Sequence, residues 1–255
     1  MEKNKIYLGD NLKLIKEMED NSVDLVLTDP YYETMGIGNS KATKQDIKSN
    51  FIELCPELFR VLKMDSNLIF FCSLEWMFKN FIKIVDCGFN FKYEIVWNKN
   101  RGISFLTAKK RPLQKHETIF VFSKGKHKYN FIEGKTEGHK PTKRGVYNVE
   151  KDYVSIKTTE HKNNGERYMT SVLDYNTSSY NKQTTHPFEK PLDLSSHLIK
   201  AFSYEGELIM DPYSGSGNIC VSSKINNRNF IGFELQTEYF NESMKNIKKH
   251  LVEQN

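Results

Sequence analysis

The sequence predicts an α/β fold: a mostly parallel sheet with helices on both faces and an inserted segment between its two halves. Three observations predict it. Short apolar runs alternate with segments of helical spacing from residue 6 to residue 97, the pattern lapses over Ser123 to Thr185, and alternation resumes at Pro191 and continues to His250. Strands separated by helices of this length form crossover connections, and a sheet built from such units is covered on both sides.

Ile6 to Leu8 reads as a short strand, followed by a helix over Asn11 to Glu19 with Leu12, Ile15 and Met18 on one face. Val23 to Thr28 is the next strand. Glu33 to Lys48 lacks periodicity and contains Gly36, Gly38 and Asn39, a loop of the length that in compact domains marks function or disorder. Phe51 to Leu62 has helical spacing behind a cap at Ser49 or Asn50. A continuous apolar strand at Leu68 to Cys72, a helix at Glu75 to Val85, and strand-like runs at Phe89 to Trp97 and Glu117 to Phe122 complete the first part. The second part reads as helix to Phe202, strand Glu207 to Met210, helix Ile219 to Asn226, strand Phe230 to Phe233 and helix Glu238 to His250. No internal repeat is visible.

A chain of 255 residues fits one large domain, or one with an insertion. Hydrophobic residues at 38% and aromatics at 13% can supply a core, while a mean hydropathy of −0.61 leaves a very polar surface. No apolar stretch approaches membrane-spanning length and no signal-type segment follows Met1 to Lys5, so a soluble intracellular protein with no membrane partner is expected. Cys55, Cys72, Cys87 and Cys220 are scattered, with no Cys-x-x-Cys pair and no His at ligand spacing. Reduced thiols, three of them in the core, and no metal site are expected.

The net charge of +5 is unevenly spread. Between Trp97 and Gln183 there are 18 Lys/Arg against 8 Asp/Glu, whereas the remainder carries 19 basic and 24 acidic residues. That contrast suggests a basic face for a polyanion, the alternative being a solvated Lys-rich surface.

Two segments carry the chemistry. After the strand at Glu207 to Met210 comes Asp211-Pro212-Tyr213-Ser214-Gly215-Ser216-Gly217-Asn218. Its glycines permit a tight turn and close approach of backbone to a ligand at a helix N-terminus. The next strand ends at Glu234, 19 residues after Gly215, where an acid can accept both hydroxyls of a ribose. A dinucleotide fingerprint would have a third glycine where this chain has Cys220, and Asp211 would repel a pyrophosphate. An acid there suits a positively charged ligand, such as the ammonium and sulfonium of S-adenosyl-L-methionine. The other segment, Thr28-Asp29-Pro30-Tyr31-Tyr32, also follows a buried-type strand, and ligands bind at the carboxyl ends of strands in open α/β sheets.

Asp29-Pro30-Tyr31-Tyr32 resembles the Asp-Pro-Pro-Tyr motif of exocyclic-amine DNA methyltransferases, and Asp211 to Asn218 resembles their Asp-Pro-Phe-x-Gly-Ser-Gly-Thr motif. His186-Pro187-Phe188-Glu189-Lys190-Pro191 is similar to their His-Pro-Thr-Gln-Lys-Pro segment, and Asn227 to Glu234 to their Asn-Arg-x-Phe-Ile-Gly-Ile-Glu strand. The order, catalytic motif first and cofactor motif last, is that of the β class. The resemblance covers the chain except roughly residues 128–183. It implies a Rossmann-like methyltransferase domain whose catalytic half is 1–127, whose inserted target-recognition segment is 128–183, and whose cofactor-binding half is 184–255. The implied function is S-adenosyl-L-methionine-dependent methylation of adenine N6 in duplex DNA, with base flipping. Asp rather than Ser at position 29 favours adenine over cytosine N4. An RNA methyltransferase and a non-catalytic DNA-binding regulator are further alternatives. No Pro-Cys dipeptide suggests the thiolate nucleophile of a cytosine-C5 methylase.

An exocyclic amine is a poor nucleophile because its lone pair is delocalised into the ring. The Asp29 carboxylate and the Pro30 carbonyl can accept its hydrogens and favour tetrahedral geometry, proline offering no competing N–H. Tyr32 can stack on a flipped base. The resemblance makes Asp29, Pro30, Tyr31 and Tyr32 catalytic, and Asp10, His186, Lys190, Asp211, Tyr213, Gly215, Ser216, Gly217 and Glu234 cofactor-binding. Lys190 is expected near the methionine carboxylate. Asp10 could instead cap the helix at Asn11, and His116 could be catalytic or an ordinary turn histidine. Tyr31 stands where the family has a second proline, and Asn218 and Phe188 each replace a threonine. Basic residues Arg101, Lys109, Lys110, Arg111, Lys143, Arg144 and Arg167 are expected to contact DNA. Of these, Arg101, Arg111, Arg144 and Arg167 are guanine candidates, with Asn163, Asn164 and Gln183 for adenine. The loop from Glu33 to Lys48 is expected to close over the flipped base. The resemblance also brings homodimerisation, a cognate restriction endonuclease and a cytoplasmic bacterial or phage setting into view.

Overall fold

The computed structural model describes residues 1–30, 50–103, 108–136, 166–177 and 190–252. Among these, eight strands form one sheet: β1 (Lys5–Leu8), β2 (Val23–Thr28), β3 (Leu62–Cys72), β4 (Asn90–Ile103), β5 (Gln114–Lys124), β6 (Val172–Asp174), β7 (Leu208–Asp211) and β8 (Asn229–Glu234). The helices are α1 (Asn11–Leu14), α2 (Phe51–Val61), α3 (Leu74–Asp86), α4 (Leu192–Phe202), α5 (Asn218–Ile225) and α6 (Thr237–Val252). The strand order is β1-β8-β7-β2-β3-β5-β4-β6. All neighbours are parallel except β3 with β5 and β5 with β4. The expected mostly parallel α/β sheet is therefore the observed one.

Both faces of the sheet are covered, as period-2 side-chain alternation requires. Val26, Leu68, Phe70, Phe120 and Phe122 point to the face packed by α2 and α3 with Leu54, Leu58, Met77 and Ile84. Leu25, Leu27, Ile69, Phe71, Ile119 and Val121 point to the other, packed by Leu194, Leu198 and Phe202 of α4 and Ile219 of α5. β2 has all six residues buried, which is why its sequence reads as a continuous run. Its one internal acid, Asp24, takes Lys63 Nζ at 2.8 Å and the Leu208 amide at 3.0 Å.

Several elements differ from the sequence expectation. The first helix is α-helical only to Leu14 and continues as a 3-10 turn over Ile15–Glu17. There the Arg60 guanidinium takes the carbonyls of Ile15 (2.9 Å) and Met18 (2.8 Å). β4 and β5 run well past the apolar stretches that announced them, because antiparallel pairing carries their ladder out to Ile103 and Gln114, where polar residues give no hydrophobic signal. Within the segment lacking periodicity, β6 joins the sheet beside β4, and the Trp97 indole donates to the Tyr175 carbonyl at 2.8 Å.

The chain leaves β2 through α2 towards β3 on one side and leaves β7 through α5 towards β8 on the other, although β2 and β7 are neighbours. Connections diverging from adjacent parallel strands open a crevice at their carboxyl ends. Asp29 follows β2 and Asp211 ends β7, so both stand at that crevice.

Phe70 is fully buried and its ring lies 4.7 Å from Phe51 and 5.9 Å from Phe122. Phe70→Ala is expected to destabilise the fold by about 3–5 kcal/mol, read as a lowered midpoint in urea unfolding.

Candidate active site

The two sequence segments meet across the crevice. Thr28 Oγ1 donates to Asp211 Oδ1 at 2.7 Å, joining residues 183 apart in the chain, and the Tyr213 amide donates to the same oxygen at 3.1 Å. Behind Asp211, Gly215 (φ +51°) and Gly217 (φ +84°) occupy the left-handed region, and Gly217 directly precedes α5. A Cβ on Gly217 would lie 2.8 Å from Ser243 Cβ of α6, so both conformation and space call for glycine. The Gly215 amide donates to Glu234 Oε2 at 2.8 Å, and the Gln236 amide to Oε1 at 2.7 Å. Each carboxylate oxygen keeps a further lone pair, so Glu234 can still accept a pair of hydroxyls.

The Tyr213 ring lies tilted against Phe51, centroids 6.3 Å apart, and its hydroxyl donates to Asn50 Oδ1 at 2.5 Å. Asn50 donates to Asn11 Oδ1 at 2.7 Å, and Asn11 to the Pro212 carbonyl at 3.1 Å. This network ties the glycine turn to the starts of α1 and α2. Asp10 caps α1, accepting from the Leu12 amide at 3.0 Å, the second of the two readings open to it. Ser216 accepts, through its carbonyl, from Asn246 at 2.9 Å.

On the catalytic side, Asp29 Oδ2 lies 2.7 Å from Lys190 Nζ, while Oδ1 is buried with no hydrogen-bond partner among the described residues. The Lys190 ammonium also lies 3.0 Å from Glu117 Oε1 and sits 4.9 Å over the Phe71 ring. Lys99 Nζ holds the other Glu117 oxygen at 2.8 Å. The sequence expectation places Lys190 near the cofactor's carboxylate; here its charge is shared by two protein carboxylates, in a side chain only 7% exposed. Asn218, at the threonine position of the motif, donates to the Lys190 carbonyl at 2.9 Å and so links the glycine turn to Asp29's partner.

Burial pushes Asp29 up to about 6 against the pull of Lys190, with Glu117 adding to the rise. Burial likewise pushes Asp211 up to about 7, opposed by the Thr28 and Tyr213 hydrogen bonds and increased by Asp29 and Glu234. Burial works against the Glu117 charge, but Lys190 and Lys99 outweigh it and hold this carboxyl well below its ordinary range. Burial also opposes the Lys190 charge, which Asp29 and Glu117 raise above the usual lysine range. One buried acid is thus paired with a cation, and the other, Asp211, has only a hydroxyl and an amide among its described hydrogen bonds. A ligand carrying positive charge fits beside Asp211, as does a diol at Glu234.

Glu117 and Lys99 carry no motif of their own in the sequence, whereas the adjacent His116 is a sequence candidate. Strand alternation turns the His116 side chain outward and buries Glu117. The available signal was a charged residue beginning an otherwise apolar strand. Arg101, Lys109, Lys110 and Arg111 are exposed about the tip of the β4–β5 hairpin, on the same sheet edge as Asp29. Arg167 is not brought together with them: it bridges Thr136, beyond Gly134, which packs on Ala201 near the far end of α4. Tyr31, Tyr32, His186, Lys143, Arg144, Asn163, Asn164, Gln183 and the loop at 33–48 lie outside the described residues.

A family described as DNA methylase matches residues 23–245. The chain belongs to this family. Its methyl donor is S-adenosylmethionine, and its substrate is DNA. The methylase is 29% identical over 258 residues to the DNA adenine methyltransferase YhdJ of Escherichia coli (strain K12), covering 95% of this chain and 82% of that one. It is 28% identical over 244 residues to the type II methyltransferase M.HpaI of Haemophilus parainfluenzae, covering 92% and 71%. Among solved structures, the complex of M1.HpyAVI with SAM superposes with a TM-score of 0.67 at 23% identity, covering 97% of this chain and 98% of that chain. The cytosine-N4-specific PvuII DNA methyltransferase superposes at 0.68 with 17% identity, covering 97% and 91%. These superpositions confirm the Rossmann-like methyltransferase fold. No helix among the described residues is long and apolar enough to cross a membrane.

Because the Asp211 carboxyl is raised from 3.8 to about 7, the folded protein binds more protons than the unfolded chain between those values. Stability of the unliganded methylase should therefore fall as pH rises from about 4 to about 7. Asp211→Asn should remove part of that fall, raising the melting temperature at pH 8 by a few degrees while abolishing cofactor binding in calorimetry. In the wild type, cofactor affinity should weaken as pH drops below about 7, where Asp211 takes up a proton.

Proposed function

We propose that the methylase transfers a methyl group to N6 of adenine in duplex DNA, as a site-specific enzyme of the β class. The observation that carries this reading is the buried, unpartnered Asp29 Oδ1 at the crevice shared with the glycine turn. An acceptor in that position lacks only a donor, and an exocyclic NH₂ is one.

When bound, S-adenosylmethionine supplies an electrophilic methyl on a sulfonium. Asp211, Glu234 and the turn at Gly215 to Gly217 would hold the donor, with Asp10 and Tyr213 close by. Asp29 Oδ1 and the Pro30 carbonyl would accept hydrogen bonds from the two amine hydrogens and turn the nitrogen lone pair towards the methyl. As the N–C bond formed and the S–C bond broke, the nitrogen would lose one proton, with Asp29 placed to receive it. Catalysis thus consists mainly of orientation and charge placement. Tyr32 would stack on the flipped base, and Tyr31 belongs to the same catalytic motif. Asp at position 29 and the similarity to an adenine methyltransferase support adenine. Cytosine N4 presents a similar amine, and the PvuII likeness is one of fold. The exposed hairpin cations, with Lys143 and Arg144 of the 128–183 segment, serve DNA contact. Kinship with type II methyltransferases supports a restriction partner and a cytoplasmic setting.

Labelled cofactor incubated with duplex DNA and digested to nucleosides should yield N6-methyladenine; label confined to N4-methylcytosine would overturn the assignment. Asp29→Ala should lower turnover by about 10²–10³-fold with cofactor still bound, and full activity would show that the acceptor lies elsewhere. Replacing Lys109 and Lys110 with alanine should weaken DNA binding and reduce the slope of log affinity against log salt by about one for each phosphate no longer neutralised. Cofactor affinity should remain unchanged in that variant.

A further inference from the structure

Four buried or half-buried charges of alternating sign run into the crevice: Lys99, Glu117, Lys190 and Asp29, at successive separations of 2.8, 3.0 and 2.7 Å. They come from β4, β5, the residue leading into α4, and the end of β2, so the row is assembled by tertiary structure alone. It ends on the free Oδ1 of Asp29. The Lys190 and Lys99 ammoniums lie 6.0 and 4.8 Å from the Trp97 ring, with Phe71 also under Lys190, a setting in which charges interact strongly.

Were Asp29 the sole counter-ion of Lys190, the ion pair would draw charge out of the carboxylate and weaken the oxygen that receives the amine. Glu117 shares that ammonium. Glu117 is itself part-neutralised by Lys99, so its claim on Lys190 is graded rather than complete. We propose that Glu117 is a positioning residue for methyl transfer, which with Lys99 sets how tightly Lys190 is paired to Asp29 and hence how strongly Oδ1 accepts the substrate amine. This rests on the reading of Asp29 as the amine's acceptor.

The groups facing Asp29 are Lys190 before α4, Glu117 on β5, Lys99 on β4, Asp211 on β7 and the Cys72 thiol on β3. Cys72 is held far above its ordinary range by burial. Asp211 is kept out of the readout by working at saturating cofactor. Glu117 raises the Asp29 carboxyl and Lys99 lowers it, so their removal must act in opposite directions.

The test is the single-turnover rate against pH for wild type, Glu117→Gln and Lys99→Met, at saturating cofactor and DNA. The acid limb of Glu117→Gln should move down by about one pH unit, and its plateau rate should fall about tenfold as Asp29 becomes a weaker acceptor. The limb of Lys99→Met should move up. Cofactor affinity and melting temperature at pH 8 report whether each variant is folded; if Glu117→Gln is not, the direction of the Lys99→Met shift decides. Unchanged limbs, or shifts of the same sign, overturn the proposal. A wild type that transfers no methyl, or an active Asp29→Ala, would instead overturn the proposed function, so the two failures are distinguishable.

Discussion

Parallel pairing of β2 with β7, locked at its end by the hydrogen bond from Thr28 to Asp211, is the constraint on which the site depends. It closes a loop of 183 residues, at an entropic cost on the order of 5 kcal/mol. Burying an apolar side chain contributes about 1.5–3 kcal/mol, so two or three of Leu25, Val26, Leu27, Ile209 and Met210, all buried, offset it. The active-site geometry is thus held by core packing. The polar residues at the strand ends are delivered to the crevice by a sheet held mainly by its apolar interior.

Two acids arrive at that crevice within one low-dielectric region, and the partners they meet give them different properties. Asp29 faces a buried ammonium, which resists the effect of burial and favours its ionised form near neutrality. Asp211 meets a hydroxyl and a backbone amide, and its carboxyl rises further. The first is kept charged by the protein itself; the second gains most from a ligand that brings a positive charge. The contrast between the two carboxyls therefore follows from one difference, the placement of Lys190.

What was legible in the sequence follows the same division. β2, β7 and β8 are buried on both faces, so their apolar runs marked them closely, and the glycines of the cofactor turn were readable because left-handed backbone and the space beside Ser243 exclude other residues. The extensions of β4 and β5 were not legible, since pairing beyond the core leaves no periodic trace. Nor was the role of Lys190: a lysine just ahead of a helix carries no mark of the carboxylates it will meet. Glu117 and Lys99 escaped for the same reason, as each acquires its meaning only when β4 and β5 pair and face Asp29. Motif spacing reports local geometry; charge pairing across strands is a property of the assembled sheet.

The β4–β5 hairpin carries two contrasting charge environments. Up to Lys99 and from Glu117 onward, its inward side chains belong to the interior, with Trp97 beneath two ammoniums. Asn100 then takes a left-handed conformation and the register shifts between Asn98 and Ile103, which ends the regular alternation and sends the chain beyond the sheet. Arg101 and the cations at 109–111 are exposed there. A single residue, Asn100, separates Lys99 in the buried ion row from Arg101 on the exposed tip, so two opposite charge environments meet within one short stretch of β4 beyond the parallel core.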